Sequence, residues 1–172
     1  MARVAILVDN YFEQIEMTSP KQALEEAGHE TTLVTTREDE VMGLNHIEKA
    51  DKFEADELLD EVSFDDYDAL VIPGGVVNAD ALRMDQKARD WVKHCFDNNK
   101  PLAVICHGPW LLVSSGLVDG HKLTSWPTLE DDIKNAGGDW VDQDLVEDGV
   151  LITSRKPDDL PVFNQALLDH LG

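Results

Sequence analysis

Short runs that are apolar at nearly every position constrain the fold of this chain more than any other feature of its sequence. Three such runs occupy residues 4–8, Ala69–Ile72 and Leu102–Ile105, and a more polar fourth run occupies residues 31–35. A strand with apolar side chains on both faces is typical of a parallel sheet that is covered on both sides. Because helical segments separate the runs, the sequence predicts an α/β fold with a mostly parallel sheet and helices on both faces.

The helical segments are identified by their end signals and by their spacing of apolar residues. We predict a helix that starts at Thr18 or Ser19, next to Pro20, and stops at Gly28. The spacing over residues 85–98 predicts an amphipathic helix. Further helices are predicted at 55–62, 109–113, 129–136 and 159–171, a hairpin or an irregular excursion at 41–53, and two strands around a tight turn at 145–148 and 150–153.

Length and composition are those of one folded domain. The 172 residues suffice for one core, so we expect a single domain over residues 1–172. The longest apolar runs are too short to span a bilayer, and the first residues enter a strand without a signal-peptide pattern, so we expect a cytoplasmic protein. Two cysteines form no disulfide framework, and the histidine spacing matches no zinc pattern, so no metal is expected.

The net charge is strongly negative. Asp and Glu number 35 against 14 Lys and Arg, which gives a formal net charge of -21. Such a surface repels nucleic-acid phosphates and anionic lipids, so neither nucleic acid nor membrane is expected as a partner. The acidic residues are spread over the whole chain, and we interpret this as adaptation to a salt-rich cytoplasm, as in a halophile. The alternative is an acidic protein that is merely highly soluble.

Cys106 is the strongest candidate for a reactive side chain. It lies between a buried strand and a segment with helical character, in the sequence Val-Ile-Cys-His-Gly-Pro. A sharp turn at this place exposes one side chain above the sheet, as in a nucleophile elbow, and Gly108 leaves room for the returning helix. The helix N-terminus is expected to lower the thiol pKa, and its amides can hold an oxyanion. The alternative is a buried structural cysteine, which is our interpretation of Cys95.

Two other strand ends carry polar or glycine-rich segments. Glu13 and Glu16 follow the first strand, and Gly74 and Gly75 follow the third. The carboxyl ends of parallel strands form the ligand-binding edge of such a sheet, so these segments and Cys106 are expected to converge. A protonated Glu donates to a thiolate, and its own pKa rises beside the negative charge. The alternative for each Glu is an ordinary surface position.

Taken together, these motifs resemble those of the DJ-1/PfpI superfamily and, within it, of the PfpI-like branch. The matching stretches cover almost the whole chain, and the Cys-His-Gly-Pro segment after a buried strand is their specific part. The quoted motifs lie at residues 12–16, 73–75, 103–109, 124–126, 137–142 and 153–161.

The resemblance implies a flavodoxin-like three-layer sandwich and a cofactor-free site built around Cys106 as nucleophile. Glu13 matches the buried acid that hydrogen-bonds the thiol, and His107 matches the catalytic histidine. The backbone N–H groups of Gly75 and His107 match the oxyanion hole. In PfpI-like peptidases an acid from a neighbouring subunit orients the histidine, and Asp80 stands at the matching place here. We therefore expect a homo-oligomer, either a dimer or a hexamer.

The resemblance and the reactive-cysteine motif together leave three functions open. The first is a stress-protection enzyme of glyoxalase or deglycase type, which acts on small reactive carbonyls or their adducts and converts a 2-oxoaldehyde to a hydroxy acid. The second is an intracellular cysteine peptidase of PfpI type with a peptide substrate. The third is a redox sensor without turnover, in which Cys106 is oxidised to sulfenic and sulfinic acid. The sequence favours the first without excluding the others.

The charge pattern makes a prediction about stability in salt. Raising KCl from about 0.1 M to about 2 M screens the repulsion among the surface carboxylates, so the melting temperature should rise by several degrees. Thermal unfolding monitored by circular dichroism measures the change, with sucrose as a control for general solute effects. A melting temperature that does not rise with KCl would contradict the salt-adaptation hypothesis.

Overall fold

A central sheet of seven strands organises the structure, a computed structural model that describes residues 1–172. All neighbouring strands in it are parallel except one edge strand, which confirms the predicted mostly parallel sheet. The twelve strands of the structure, including five in smaller sheets or β-ladders, are β1 (Arg3–Val8), β2 (Phe12–Glu13), β3 (Glu30–Thr35), β4 (Val41–Asn45), β5 (Glu48–Phe53), β6 (Glu57–Leu58), β7 (Ala69–Ile72), β8 (Leu102–Ile105), β9 (Lys122–Leu123), β10 (Asp139–Trp140), β11 (Val146–Asp148) and β12 (Leu151–Ser154).

The strand order places a crevice beside the first strand. Across the main sheet the order is β11-β12-β8-β7-β1-β3-β6. The chain leaves β1 for β3 on one side and returns to β7 on the other, with Ile6 paired to both Leu33 and Val71. Where the direction of winding reverses in this way, ligands bind beyond the carboxyl ends of the strands. The expected position of a site is therefore above β1, β7 and β8.

Helices cover both faces of the sheet, as the sequence predicts, and produce two separate cores. Alternate residues of β1 face opposite cores: Ala5 and Leu7 face one, and Val4, Ile6 and Val8 face the other. No helix is both long enough and apolar enough to cross a membrane. The six helices are α1 (Gln14–Glu26), α2 (Val76–Met84), α3 (Gln86–Asp97), α4 (Pro109–Ser114), α5 (Glu130–Asn135) and α6 (Leu160–Leu171).

The two cores use different helices, and this separates the two cysteines. The first core contains buried residues of α2, α3, α4 and α5, and Cys95 on α3 belongs to it. The second core is built on α1 and α6 and includes Cys106. Burial raises the pKa of the Cys95 thiol to about 12, which confirms its interpretation as an inert core residue.

The first helix begins earlier than predicted. It starts at Gln14, so Pro20 lies inside it rather than at its first turn. A proline in a helix interior costs about 3 kcal/mol because its ring clashes with the preceding turn and its N–H is missing. Burial of the Met17 side chain, which is 1% exposed, and the hydrogen bond from the Gly74 N–H to Glu16 act against this cost. The early start fixes which glutamate reaches the sheet edge.

Two other segments differ from the predictions. Residues 55–62 form strand β6 and a 3₁₀ turn at Leu59–Glu61, not a helix. Asp56 determines this, because its carboxylate accepts a hydrogen bond from the Leu33 N–H at 2.8 Å while its own N–H donates to the Leu33 carbonyl. These bonds hold the segment at the edge of β3. The residues after Gly75, where no helix was predicted, form α2.

The polar stretch at residues 41–53 is a hairpin, which was one of its two predicted forms. Strands β4 and β5 pair antiparallel, and β4 also pairs with the short β2 through Phe12 and Gly43. Gln14 reinforces this attachment, because its side chain both donates to and accepts from Asp51 at 2.7 and 2.8 Å. The hairpin is therefore fastened to the start of α1, next to the ends of the central strands.

The N-cap of α3 provides a test of helix stability. The Asp85 carboxylate accepts hydrogen bonds from the N–H groups of Lys87 and Ala88, at 2.9 and 3.1 Å. Asp85→Ala should lower the free energy of unfolding by about 1 kcal/mol, because two N–H groups lose their partner. Asp85→Asn should retain most of that stability, since its amide oxygen still accepts. Urea denaturation measures both variants, and equal losses in the two would contradict this role for the cap.

Candidate active site

The ends of three neighbouring strands meet at one place, as predicted. Strand β7 lies between β1 and β8 in the sheet. Glu13 and Glu16 follow β1, Gly74 and Gly75 follow β7, and Cys106 follows β8 directly. The topology therefore brings two carboxyl groups, a glycine turn and a thiol into one crevice.

Cys106 adopts a backbone conformation that is uncommon for a residue with a side chain. Its φ is 64°, in the left-handed region, which costs an L-residue roughly 1–2 kcal/mol. Two backbone hydrogen bonds hold the turn: the Cys106 N–H donates to the Ser154 carbonyl at 3.1 Å, and the Trp126 N–H donates to the Cys106 carbonyl at 2.8 Å. The strand therefore ends in a fixed, sharp turn, which is the predicted elbow.

Gly108 allows the helix to return close to the strand. A Cβ at this position would lie 2.7 Å from Val104 Cγ1 and 3.0 Å from the Ile105 carbonyl oxygen. Any other residue would therefore displace α4 from the end of β8. The predicted role of this glycine in the elbow agrees with the structure.

Glu16 is the carboxyl group beside the thiol. Its side chain is completely buried, and its Oε1 accepts a hydrogen bond from the Gly74 N–H at 2.8 Å. Burial raises the pKa of Glu16 to about 8, while its hydrogen bonds with Gly74 and Cys106 act in the opposite direction and the charge of Glu13 adds to the rise. Glu16 therefore carries a proton at neutral pH.

The carboxyl group that adjoins the thiol in the structure is thus Glu16, whereas the family resemblance assigns that place to Glu13. Because α1 begins at Gln14, Glu13 is the residue before the helix and Glu16 lies in its first turn. Glu13 instead faces the β4–β5 hairpin, where its carboxylate accepts from the His46 N–H at 3.0 and 3.3 Å. It acts on Cys106 only through its charge.

The Cys106 thiol is buried, with 6% of its surface exposed. Burial raises the pKa of the thiol, the charges of Glu16 and Glu13 add to this, and the N–H groups of Gly75 and His107 oppose it by hydrogen bonding to sulfur. The expectation of a lowered thiol pKa is therefore wrong, because desolvation exceeds the effect of the amides. The contribution from Glu16 disappears when that carboxyl carries its proton.

The amides of Gly75 and His107 point at the sulfur and so occupy the place predicted for an oxyanion hole. Gly75 has a φ of 93°, and a Cβ there would lie 2.8 Å from both the Glu13 nitrogen and the Tyr11 carbonyl oxygen. Only glycine fits between these backbone atoms while its own N–H faces Cys106.

His107 lies directly against the thiol. Its Nδ1 is 3.3 Å from the Cys106 Sγ. The ring stacks on Trp126 at a centroid distance of 5.7 Å and meets the edge of Trp110 at 5.4 Å. Burial lowers the pKa of His107 to about 4, so the imidazole is neutral at physiological pH. A neutral imidazole in contact with a thiol can accept a proton.

Asn78 is a structural element of the site that the sequence argument missed. Its buried side chain donates to the carbonyls of Pro73 and Gly74 at 3.1 and 2.9 Å, and accepts from the Asp9 N–H at 2.6 Å. It therefore ties the end of β1 to the glycine turn after β7. The sequence argument did not find it because no helix was predicted after Gly75, and the side chain of an Asn outside a regular element has no defined direction.

The crevice encloses a pocket of about 670 Å³. Trp126 lines it, whereas Tyr11 belongs to a separate surface cavity. Asp80 is exposed on α2 and is not part of the lining, so its predicted contact with a neighbouring subunit stays a prediction. No group of three or more His, Cys, Asp or Glu side chains is arranged to hold a metal ion. The lining residues are Glu13, Glu16, Leu44, His46, Ile47, Gly75, Val76, Val77, Cys106, His107, Trp126, Thr128 and Pro157.

Comparison with known proteins finds relatives that match almost the whole chain. The chain is 38% identical over 175 residues to protein/nucleic acid deglycase 2 of Escherichia coli, with 99% of this chain and 98% of that protein covered. It is 37% identical over 167 residues to general stress protein 18 of Bacillus subtilis, with 96% and 95% covered.

The fold is shared with a solved structure as well. A two-domain Anabaena variabilis protein with DJ-1/ThiJ/PfpI-like and ferritin-like domains superposes with a TM-score of 0.95 and 34% identity. All of this chain is covered but only 48% of that one, so the match spans about half of the longer protein. The sequence profile of the DJ-1/PfpI family matches residues 2–170. The chain therefore belongs to the DJ-1/PfpI family.

Proposed function

We propose that this chain is a cysteine-dependent enzyme that acts on small reactive carbonyls or their adducts, in the manner of a glyoxalase or deglycase. One observation carries the proposal: a buried thiol, a protonated carboxyl and a neutral imidazole meet in one pocket, beside two backbone N–H groups. The names of two relatives, a deglycase and a general stress protein, support the same conclusion.

The resting site holds Cys106 and Glu16 as a coupled pair. Two ionised groups in contact would repel each other in a buried environment, so the pair carries at most one negative charge near neutral pH. When the charge lies on sulfur, it is stabilised by the N–H groups of Gly75 and His107 and by the proton of Glu16. This form is the nucleophile.

The first chemical step is addition to the aldehyde carbon of a 2-oxoaldehyde. The Cys106 sulfur forms a bond to that carbon while the carbonyl π electrons move to oxygen, which gives a hemithioacetal oxyanion. The N–H groups of Gly75 and His107 are placed to stabilise that oxygen, and Glu16 can deliver its proton to it. The aldehyde is then held covalently beside the imidazole.

The second stage moves one proton and then adds water. His107 removes the proton from the former aldehyde carbon, which gives an enediol, and returns it to the neighbouring carbon. The product is a 2-hydroxyacyl thioester on Cys106. Hydrolysis of the thioester releases a 2-hydroxy acid and restores the thiol. The aldehyde carbon is oxidised while the neighbouring carbonyl carbon is reduced to an alcohol, so the reaction needs neither a cofactor nor an external redox partner.

The quaternary structure and cellular setting complete the proposal. We propose a homodimer or hexamer in a salt-rich cytoplasm, in which Asp80 of one subunit pairs with His107 of another. Within one chain the His107 ring makes a hydrogen bond only to Cys106. Its second nitrogen therefore has no partner in the chain, which is compatible with an acid supplied by a neighbouring subunit.

Substitution of the nucleophile tests the proposed reaction. Purified in high KCl, wild type should convert methylglyoxal to lactate, and Cys106→Ser should lower kcat by at least a thousandfold because the thiolate is lost. Cys95→Ala is the matched control, since Cys95 belongs to the core on the other side of the sheet. It should retain most of the activity.

Three outcomes would contradict this function. Cleavage of casein without turnover of methylglyoxal or glycated thiols would identify a peptidase. Absence of all turnover, together with peroxide-dependent mass increases on Cys106, would identify a redox sensor. Release of lactate by Cys106→Ser at the wild-type rate would remove the thiol from the mechanism.

The proton on Glu16 predicts a specific dependence of stability on pH. With a folded pKa of about 8 and an ordinary value of 4.5, Glu16 binds its proton only in the folded state between these pH values, so stability falls as pH rises through this range. His107 has the opposite effect on stability between about pH 4 and pH 6.5, because its imidazole is protonated there only in the unfolded state. The two slopes cancel up to pH 6.5, which leaves a fall of about 2 kcal/mol between pH 6.5 and 8.

Urea unfolding at a series of pH values measures this fall. Glu16→Gln should abolish it, because the amide does not titrate, whereas Glu26→Gln on the exposed side of the same helix should retain it. A fall of the same size in Glu16→Gln, or its loss in the Glu26→Gln control, would show that Glu16 does not hold the proton.

A further inference from the structure

The pocket contains negative charge without any compensating cation. Its thirteen lining residues include Glu13 and Glu16 but no Lys or Arg, although the chain has 14 of these residues. Glu16 is neutral near pH 7 because it is protonated, and His107 is neutral because its pKa is lowered to about 4. Apart from the Cys106 sulfur in its ionised form, the carboxylate of Glu13 is therefore the charged group that a bound molecule meets.

The charge of Glu13 is shielded from water and has no ion-pair partner. Only 9% of its surface is exposed, and its carboxylate receives its hydrogen bonds from the uncharged N–H of His46. An ion in such a place acts strongly over several ångströms, because little water or salt lies between it and its neighbours. Any anion bound next to Cys106 would experience this repulsion.

Apolar side chains form the outer part of the same pocket. Leu44 and Ile47 come from the β4–β5 hairpin, and Val76 and Val77 come from the start of α2. Ile47 is 93% exposed, Val76 52% and Val77 50%, so these side chains are available to contact a substrate. A substituent that extends from the reacting carbonyl would meet this apolar rim and not a charged group.

We propose that the pocket selects uncharged 2-oxoaldehydes with an apolar substituent and rejects anionic carbonyl compounds, and that Glu13 is the specificity-determining residue. This substrate class rests on the proposed function. Glu13 does not exchange a proton with the reacting atoms. It excludes substrate carboxylates through its fixed charge, which the hairpin holds in place through the His46 N–H.

Alkylation of Cys106 tests the charge selection independently of any turnover. Iodoacetamide and iodoacetate are similar in size, and with each the thiolate forms a C–S bond while iodide leaves. Wild type should prefer iodoacetamide over iodoacetate by a much larger factor than a free thiol does. Glu13→Gln should reduce this preference tenfold or more, since its amide oxygen can still accept from the His46 N–H. Mass spectrometry of the Cys106 peptide measures both rates.

Glu48→Gln is the matched control. It removes one negative charge from the exposed start of β5, close in sequence to the hairpin tip but outside the pocket lining. Its alkylation preference should equal that of wild type, especially in about 1 M KCl, where surface charges are screened within a few ångströms. An unchanged preference in Glu13→Gln, or an equal reduction in Glu48→Gln, would overturn the proposal.

A turnover measurement extends the test to substrates. The ratio of kcat/KM for phenylglyoxal to that for 4-carboxyphenylglyoxal should be large in wild type and should fall in Glu13→Gln, because kcat/KM for the anionic substrate rises more than kcat/KM for phenylglyoxal. If neither compound is turned over, the proposed function fails, and the alkylation ratio still decides whether Glu13 controls the charge of the pocket. If the ratio falls only because kcat/KM for phenylglyoxal decreases, that result would contradict the proposal.

Discussion

The burial of Glu16 against Cys106 is the interaction on which the rest of the site depends. A carboxyl group without solvent exposure is costly when ionised, so Glu16 keeps its proton to about pH 8. That proton is what permits negative charge on a neighbouring sulfur that burial alone would keep as a thiol. The coupling also requires close approach of three strand ends, and Gly74 permits it: a Cβ there would lie 2.6 Å from both the Cys106 Cβ and the Glu16 Oε1.

The fold places these groups by ordinary packing rules. The chain winds in opposite directions from β1, and this opens the crevice. The buried parallel strands β7 and β8 end beside it. The left-handed turn at Cys106 adds local strain. Two hydrogen bonds counterbalance it: the Cys106 N–H donates to the Ser154 carbonyl, and the Trp126 N–H donates to the Cys106 carbonyl. The sheet and its connections thus determine where the backbone turns of the site lie.

Much of this arrangement can be predicted from sequence because it depends on local patterns. Fully apolar runs identify the buried strands, and a Cys-His-Gly-Pro segment after one of them identifies the elbow. The identity of the thiol's partner could not be predicted in the same way. Glu13 and Glu16 are equally plausible until the start of α1 is known, and that start depends on tertiary burial of Glu16 and Met17, which outweighs the local signal of Pro20. The thiol pKa was misjudged for the same reason, since desolvation depends on the whole fold.

The two glutamates therefore have different parts in the proposed chemistry, although three residues separate them. Glu16 is buried, protonated and in contact with sulfur, so it suits proton delivery to the developing oxyanion. Glu13 is held by the hairpin through the uncharged N–H of His46, and its carboxylate faces the pocket as a whole. Glu16 thus serves as an acid and Glu13 as a fixed charge, although they are about one helical turn apart. A site with both carboxyls ionised would disfavour the thiolate, and a site with both neutral would not discriminate against anions. Chemistry at Cys106 and selection by charge are compatible because burial differs between the two positions.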